Sequence, residues 1–156
     1  VLHVLGARLV LHSAVGTREV AVADFITGPG RTVLQPGESM VGVNIPDSRN
    51  FGIRHFEKVG RRRALAIAVA SLAALVRFDT EGRVAEARLA WGSVGPVVMR
   101  SPEAEAALVG RALDRESLAT AATLARASVV PIDDVRASAA YRRQLVGRLL
   151  FRLLPA

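Results

Sequence analysis

The stretch Ala66–Phe78 is almost unbroken apolar residue, and it limits the fold more than any other part of the chain. Periodicity alone allows a buried helix or a buried strand there. The turn Asp79-Thr80-Glu81-Gly82 decides between them. It leads at once into Val84–Trp91, another strand-like stretch, and the two read as a hairpin. Phe51–Val59 reads as a strand on the N-terminal side, so three antiparallel strands are predicted. The longest apolar run, Ala64–Val76, is too short to cross a bilayer, and no membrane insertion is expected. No signal peptide is visible after Val1.

The last third reads as helix. Ser101-Pro102-Glu103 combines a capping hydroxyl, proline at the first helical position and an acid near the positive end of the helix dipole. Asp114 begins a second helix that Pro131 stops. Ser138 begins a third, with Tyr141, Leu145, Leu149 and Leu153 as its apolar stripe and Arg142, Arg143, Arg148 and Arg152 left to water. A three-stranded antiparallel sheet packed with a three-helix bundle is a complete α+β unit.

The first third is less self-sufficient. A helix end runs through Gly6 into a strand at Arg8–His12, and a turn at Ala14–Thr17 returns the chain as Arg18–Val22. Asp24 is placed to cap a short helical turn. Gly28-Pro29-Gly30-Arg31-Thr32 reads as an ordered loop, Gln35-Pro36-Gly37-Glu38 as a turn, and Val41–Ile45 as a strand stopped by Pro46. These strands lack partners for a closed core, which implies that a preceding segment is missing.

Little in the chain resembles chemistry of its own. There is no cysteine, so disulfides, thiolate metal sites and iron–sulfur clusters carried by this chain are excluded. His3, His12 and His55 stand at no metal-ligand spacing and read as ordinary strand or surface residues. Asp133-Asp134, between Pro131 and a helix start, reads as capping and turn formation rather than acid–base chemistry. The glycines at 28 and 30 form half of a phosphate cradle, but position 33 is Val and a strand follows. The net charge is +7, and Lys58 is the single lysine. The arginines are spread along the chain and aromatics are few, so no nucleic-acid partner is expected. Lys58 with Arg61-Arg62-Arg63 is the densest positive site. It fits a solvated strand end or a contact to an anionic cofactor, and charge alone does not choose.

The order of several short motifs resembles a known family. The pieces are Asp24-Phe25 with Gly28-Pro29-Gly30-Arg31-Thr32-Val33-Leu34; Pro36-Gly37-Glu38 with Ile45-Pro46; and Phe56-Glu57-Lys58-Val59-Gly60-Arg61-Arg62-Arg63-Ala64-Leu65-Ala66-Ile67-Ala68. Gly92-Ser93-Val94-Gly95-Pro96 follows with Arg100 and Glu105, then Pro131–Ser138 leading to Tyr141-Arg142. Together they are similar to the C-terminal part of the FAD-binding medium subunit of the molybdenum hydroxylases, the group of xanthine and carbon monoxide dehydrogenases.

The resemblance implies a remnant of a flavin-binding α/β domain over residues 1–47 and a C-terminal α+β domain over residues 48–156. It implies a cytoplasmic oxidoreductase subunit, inactive as an isolated chain. Such a subunit passes electrons from iron–sulfur clusters through FAD to an acceptor. The partners implied are a large subunit with the molybdenum cofactor and a small subunit with the iron–sulfur clusters. Lys58 would contact the flavin and, as a cation at its pyrimidine end, favour the reduced form. Met40 would pack by the cofactor, and Ile67 would lie near the isoalloxazine ring. No catalytic or metal-binding residue is implied. Many relatives carry aspartate where this chain has Ala66. The family's glycine-rich flavin loops would lie before Val1, so FAD binding by this chain is expected to be weak. A cofactor-free interaction module is the competing reading.

Overall fold

The computed structural model describes residues 1–62 and 66–154. The chain opens with one turn, closed by the Leu5 N–H on the Val1 carbonyl. Strand β1 (Arg8–Ser13) then pairs with β2 (Gly16–Ala21). A single helical turn follows, α1 (Val22–Phe25). Asp24 lies inside it; the capping position is Ala21, which has no side chain able to cap. The expected loop at 28–32 is the tip of a small hairpin between β3 (Ile26–Gly28) and β4 (Arg31–Thr32). Strand β5 (Ser39–Asn44) joins the free edge of β1, giving a sheet in the order β2-β1-β5. Leu9, Leu11 and Val22 make its small core, with Leu2, Val20 and Phe25 around them.

The larger sheet has the order β6-β7-β8-β9. Its three long strands are the expected ones: β6 (Ile53–Gly60), β7 (Ala68–Phe78) and β8 (Val84–Gly92), all antiparallel. A fourth strand, β9 (Met99–Arg100), pairs only with Ala90 and Trp91. Two residues are too few to leave a period in the sequence. Beyond β9 the edge is finished by a side chain, because the Glu105 carboxylate accepts the Leu89 N–H at 2.7 Å and an ion pair from Arg100.

Three capped helices cover one face. Ser101 caps α2 (Pro102–Leu108), Asp114 and Ser117 make a reciprocal capping box on α3 (Arg115–Ser128), and Ser138 caps α4 (Ala139–Leu150). A 3-10 turn (Phe151–Leu153) ends the described chain. Leu72, Val76, Leu89 and Trp91 pack under Leu108, Leu118, Val146 and Leu150. The Trp91 indole N–H donates to the Val146 carbonyl, fixing α4 over β8.

The opposite face is also covered. Val4 and Phe51 lie with Ala73, Leu75 and Ala90 in a second cluster. Strand β7 is therefore buried on both sides, the physical reason its sequence shows no alternation. Arg88 stands over the Phe51 ring at 5.0 Å and donates to the Val4 carbonyl, tying the N-terminal turn to this sheet.

The apolar stripe of α4 differs from the expected one. Tyr141 is 44% exposed, and Arg142 takes the inward place at 3% exposure, in line with Leu145, Val146, Leu149 and Leu150.

Leu89 is fully buried between the sheet and the helices. Leu89→Ala should lower stability by about 2–5 kcal/mol, read as a lower urea midpoint with an unchanged slope.

Candidate functional site

The helix that carries Arg142 brings it against three separate pieces of chain. One terminal nitrogen donates to the Val69 carbonyl at 2.6 Å and the Ser93 carbonyl at 2.8 Å. The other donates to Asp134 Oδ1 at 2.7 Å. Asp134 in turn folds the loop before α4, because its carboxylate accepts the N–H groups of Arg136 and Ala137 and an ion pair from the Arg136 side chain. The Arg136 N–H first, then the Arg142 guanidinium and the Ala137 N–H, hold the Asp134 carboxyl far below the usual carboxylate range, against a desolvation that opposes them. Asp133 has the capping role expected of it, accepting the Ala139 N–H at the start of α4.

Ser93 sits at φ 63°, in the left-handed region, which costs a non-glycine residue about 1 kcal/mol. Its carbonyl is held by Arg142, and the next residue accepts the Val130 N–H. The neighbouring glycine at 92 is needed for contact, since a Cβ there would meet the Ser71 hydroxyl at 2.7 Å.

These pieces enclose a cleft of about 350 Å³. Pro29 reaches it from the small hairpin, Ile67 and Ala68 form one wall, and Pro96, Val130 and Ile132 form another. Ile67 is 66% exposed, and Val130 and Ile132 are also exposed, so the rim presents apolar side chains to water. Arg142 lines the cleft, and its Nε has no hydrogen-bond partner among the described residues.

Of the residues singled out in the sequence, the structure brings two together. Lys58 donates to the Ala66 carbonyl at 3.1 Å, one residue before Ile67. The end of β6 pinches against the start of β7 there, because a Cβ on residue 60 would lie 2.6 Å from the Ala66 Cβ. Lys58, Arg61 and Arg62 are exposed; Arg63, the last of the basic run, lies outside the described residues.

Met40 is elsewhere, on β5 opposite Leu11, 53% exposed and outside the cleft lining. A slip in the ladder between Val10 and Leu11 turns it to the Leu11 side. Glu38 braces the approach to that strand. It accepts both Arg18 contacts and the Gln35 N–H, and Arg18 also binds the Val33 carbonyl. The Arg18 guanidinium, with the Gln35 N–H second, lowers the Glu38 carboxyl to about 2.

Arg142 escaped the sequence reading as a site residue. The available signal was its place at helical spacing from Leu145, Val146 and Leu149, on the stripe where a lone charge must find partners.

Residues 1–48 match the family model described as the FAD binding domain in molybdopterin dehydrogenase, and residues 54–156 match the CO dehydrogenase flavoprotein C-terminal domain. The carbon monoxide dehydrogenase medium chain of Afipia carboxidovorans is 32% identical over 95% of this chain and 51% of its own length. The xanthine dehydrogenase FAD-binding subunit of Escherichia coli O157:H7 is 32% identical over the same shares. This chain therefore spans about half the length of those curated relatives. The solved structure of reconstituted CO dehydrogenase from Oligotropha carboxidovorans matches with a TM-score of 0.89 at 32% identity, over 97% of this chain and 52% of that one. Quinoline 2-oxidoreductase from Pseudomonas putida 86 matches with a TM-score of 0.87 at 31% identity, over the same shares.

Two outcomes follow from the site's geometry. Arg142→Met should cost about 3 kcal/mol in chemical denaturation, because it takes one of two ion-pair partners from Asp134 and the side-chain donor from two carbonyls. Arg142→Lys should recover part of that loss. For Glu38 the folded pKa lies below the ordinary 4.5, so its contribution is present above that pH and is lost as pH falls towards about 2. Glu38→Gln should flatten the acid-induced loss of stability in that window, followed by circular dichroism melts at each pH.

Proposed function

This chain belongs to the flavoprotein family of the molybdopterin dehydrogenases, and from that premise we propose that it works in the FAD subunit of a molybdenum-containing hydroxylase or dehydrogenase. The observation that carries this reading is the cleft at Ile67. Its exposed apolar rim suits the flat faces of a flavin ring. The Arg142 side chain also lines that cleft, with its Nε buried beneath the wall. The residues fit the ring portion of FAD.

The chemistry that FAD supplies when bound is exchange of electrons between the iron–sulfur clusters of a small subunit and an acceptor, with substrate oxidised at the molybdenum cofactor of a large subunit. This chain's residues orient and shelter the ring. Ile67 covers a face and excludes water. Arg142 keeps the Ser93 turn and the Asp134 loop in register with Ile67. Lys58, anchored on the Ala66 carbonyl, brings a positive charge beside that wall and raises the reduction potential of the ring. Met40, exposed on β5 and outside the ring's cleft, would meet a part of the cofactor beyond the ring.

We divide the chain into a flavin-side portion, residues 1–47, and a C-terminal domain, residues 48–156. The change from the small sheet to the helix-covered sheet supports that division. The proposed compartment is the cytoplasm; no described helix is long and apolar enough to cross a membrane.

A second reading, a cofactor-free interaction module, is favoured by one feature. The helix-covered sheet has a large core of its own, whose buried described residues all lie from Val69 onward, with Ile53 and Val59 packed against them. A visible spectrum of the purified chain separates the two. Bands near ~450 nm indicate bound flavin, and a colourless folded chain that still docks its partners favours the module.

In the complete subunit, Lys58→Met should weaken flavin binding by about tenfold and lower the flavin midpoint potential. Flavin fluorescence titration and a redox titration read the two effects. Unchanged values in both would remove Lys58 from the flavin's surroundings.

A further inference from the structure

Ile67 and Arg136 are shared by two clefts. The first is the apolar one already described. The second holds about 290 Å³ and is lined by Arg61, Arg62, Ala66, Ile67 and Arg136. Among the described residues that line it, Arg61, Arg62 and Arg136 bear guanidinium groups and none is acidic.

We propose that this second cleft is a binding site for a phosphate-type oxyanion, gripped by Arg61 from the end of β6 and Arg136 from the loop before α4. Both guanidinium groups are already held in place. Arg61 donates one N–H to the Val135 carbonyl at 3.0 Å, and no other acceptor among the described residues binds it. Arg136 is held by Asp134 through one terminal nitrogen at 2.8 Å. Anchored at one end, each group keeps the rest of its fork for a ligand, and little side-chain freedom remains to be lost on binding.

The charge balance points the same way. Asp134 is the carboxylate in contact with this wall, and it already serves both Arg136 and Arg142. The neighbouring Asp133 carboxylate is engaged with the Ala139 N–H. Lys58 adds a further positive charge at the Ala66 carbonyl. A multiply charged anion offset by several guanidinium groups is the ligand class this surplus suits, and a diphosphate presents the oxygen pairs that guanidinium forks match. The site shares Ile67 with the cleft read as the flavin's, but its grip, Arg61 and Arg136, has no role assigned in that reading.

The test is calorimetric titration of the chain with inorganic pyrophosphate at low ionic strength. One saturable site is expected, weakening steeply with added sodium chloride. Arg61→Gln and Arg136→Gln should each weaken it by about tenfold. Arg115→Gln, at the start of α3 and outside the cleft, should leave it unchanged. Arg61→Gln removes no ion pair among the described residues, so it tests the site even if Arg136→Gln disturbs the Asp134 loop. Adenosine diphosphate titrated in parallel identifies the source. Tighter binding than pyrophosphate assigns the site to a nucleotide, and equal binding assigns it to the free anion. Absence of saturable binding, or equal weakening by Arg115→Gln, overturns the proposal. Either result leaves the flavin proposal untouched.

Discussion

The Arg142 guanidinium is where the architecture is made to agree with itself. A charge at 3% exposure is tolerated only when it finds acceptors, and here its two terminal nitrogens find them on three segments far apart in sequence. The start of β7, the turn after β8 and the loop before α4 all end on one side chain. The strained Ser93 backbone and the bend at Asp134 are held through it. The cleft exists because these pieces cannot drift apart independently.

The two sheets are stabilised unequally. The larger one has β7 buried on both faces, with helices on one side and the Val4–Phe51 cluster on the other. The smaller has a core of three buried residues, and Met40, Val41, Val43 and Ile45 remain exposed along or just beyond β5. Compensation is partly electrostatic: Glu38 with Arg18 stitches the loop before β5, and Glu19 links Arg8 and Asn44 across the sheet. Exposed pairs of that kind contribute little each, so the small sheet should open at lower cost than the large one.

Much of this was legible in the sequence, and for identifiable reasons. The three C-terminal helices start where hydroxyl or carboxylate caps precede them, because capping is a local interaction with a local signature. The β7–β8 hairpin was readable from its turn, although β7 itself carries no alternation. What stayed hidden was non-local. Strand β9 is defined by a partner and not by its own two residues. The bulge that aims Met40 is a mismatch between strands. Arg142 looked like one more surface arginine on a basic helix until its acceptors were brought to it by folding. Lys58 and Ile67 were each singled out through the family motif, and the structure adds that Lys58 donates to the Ala66 carbonyl, one residue before Ile67.

With one lysine in its 156 residues, this chain has a single side-chain amine. Guanidinium groups resist acylation at neutral pH, so lysine-directed modification has one address, and it is the side chain anchored at the edge of the candidate site. Acetylation there would erase the charge at the strand junction while every other cation on the molecule kept its own. Side-chain acylation on this chain thus concentrates beside the wall where the two clefts meet.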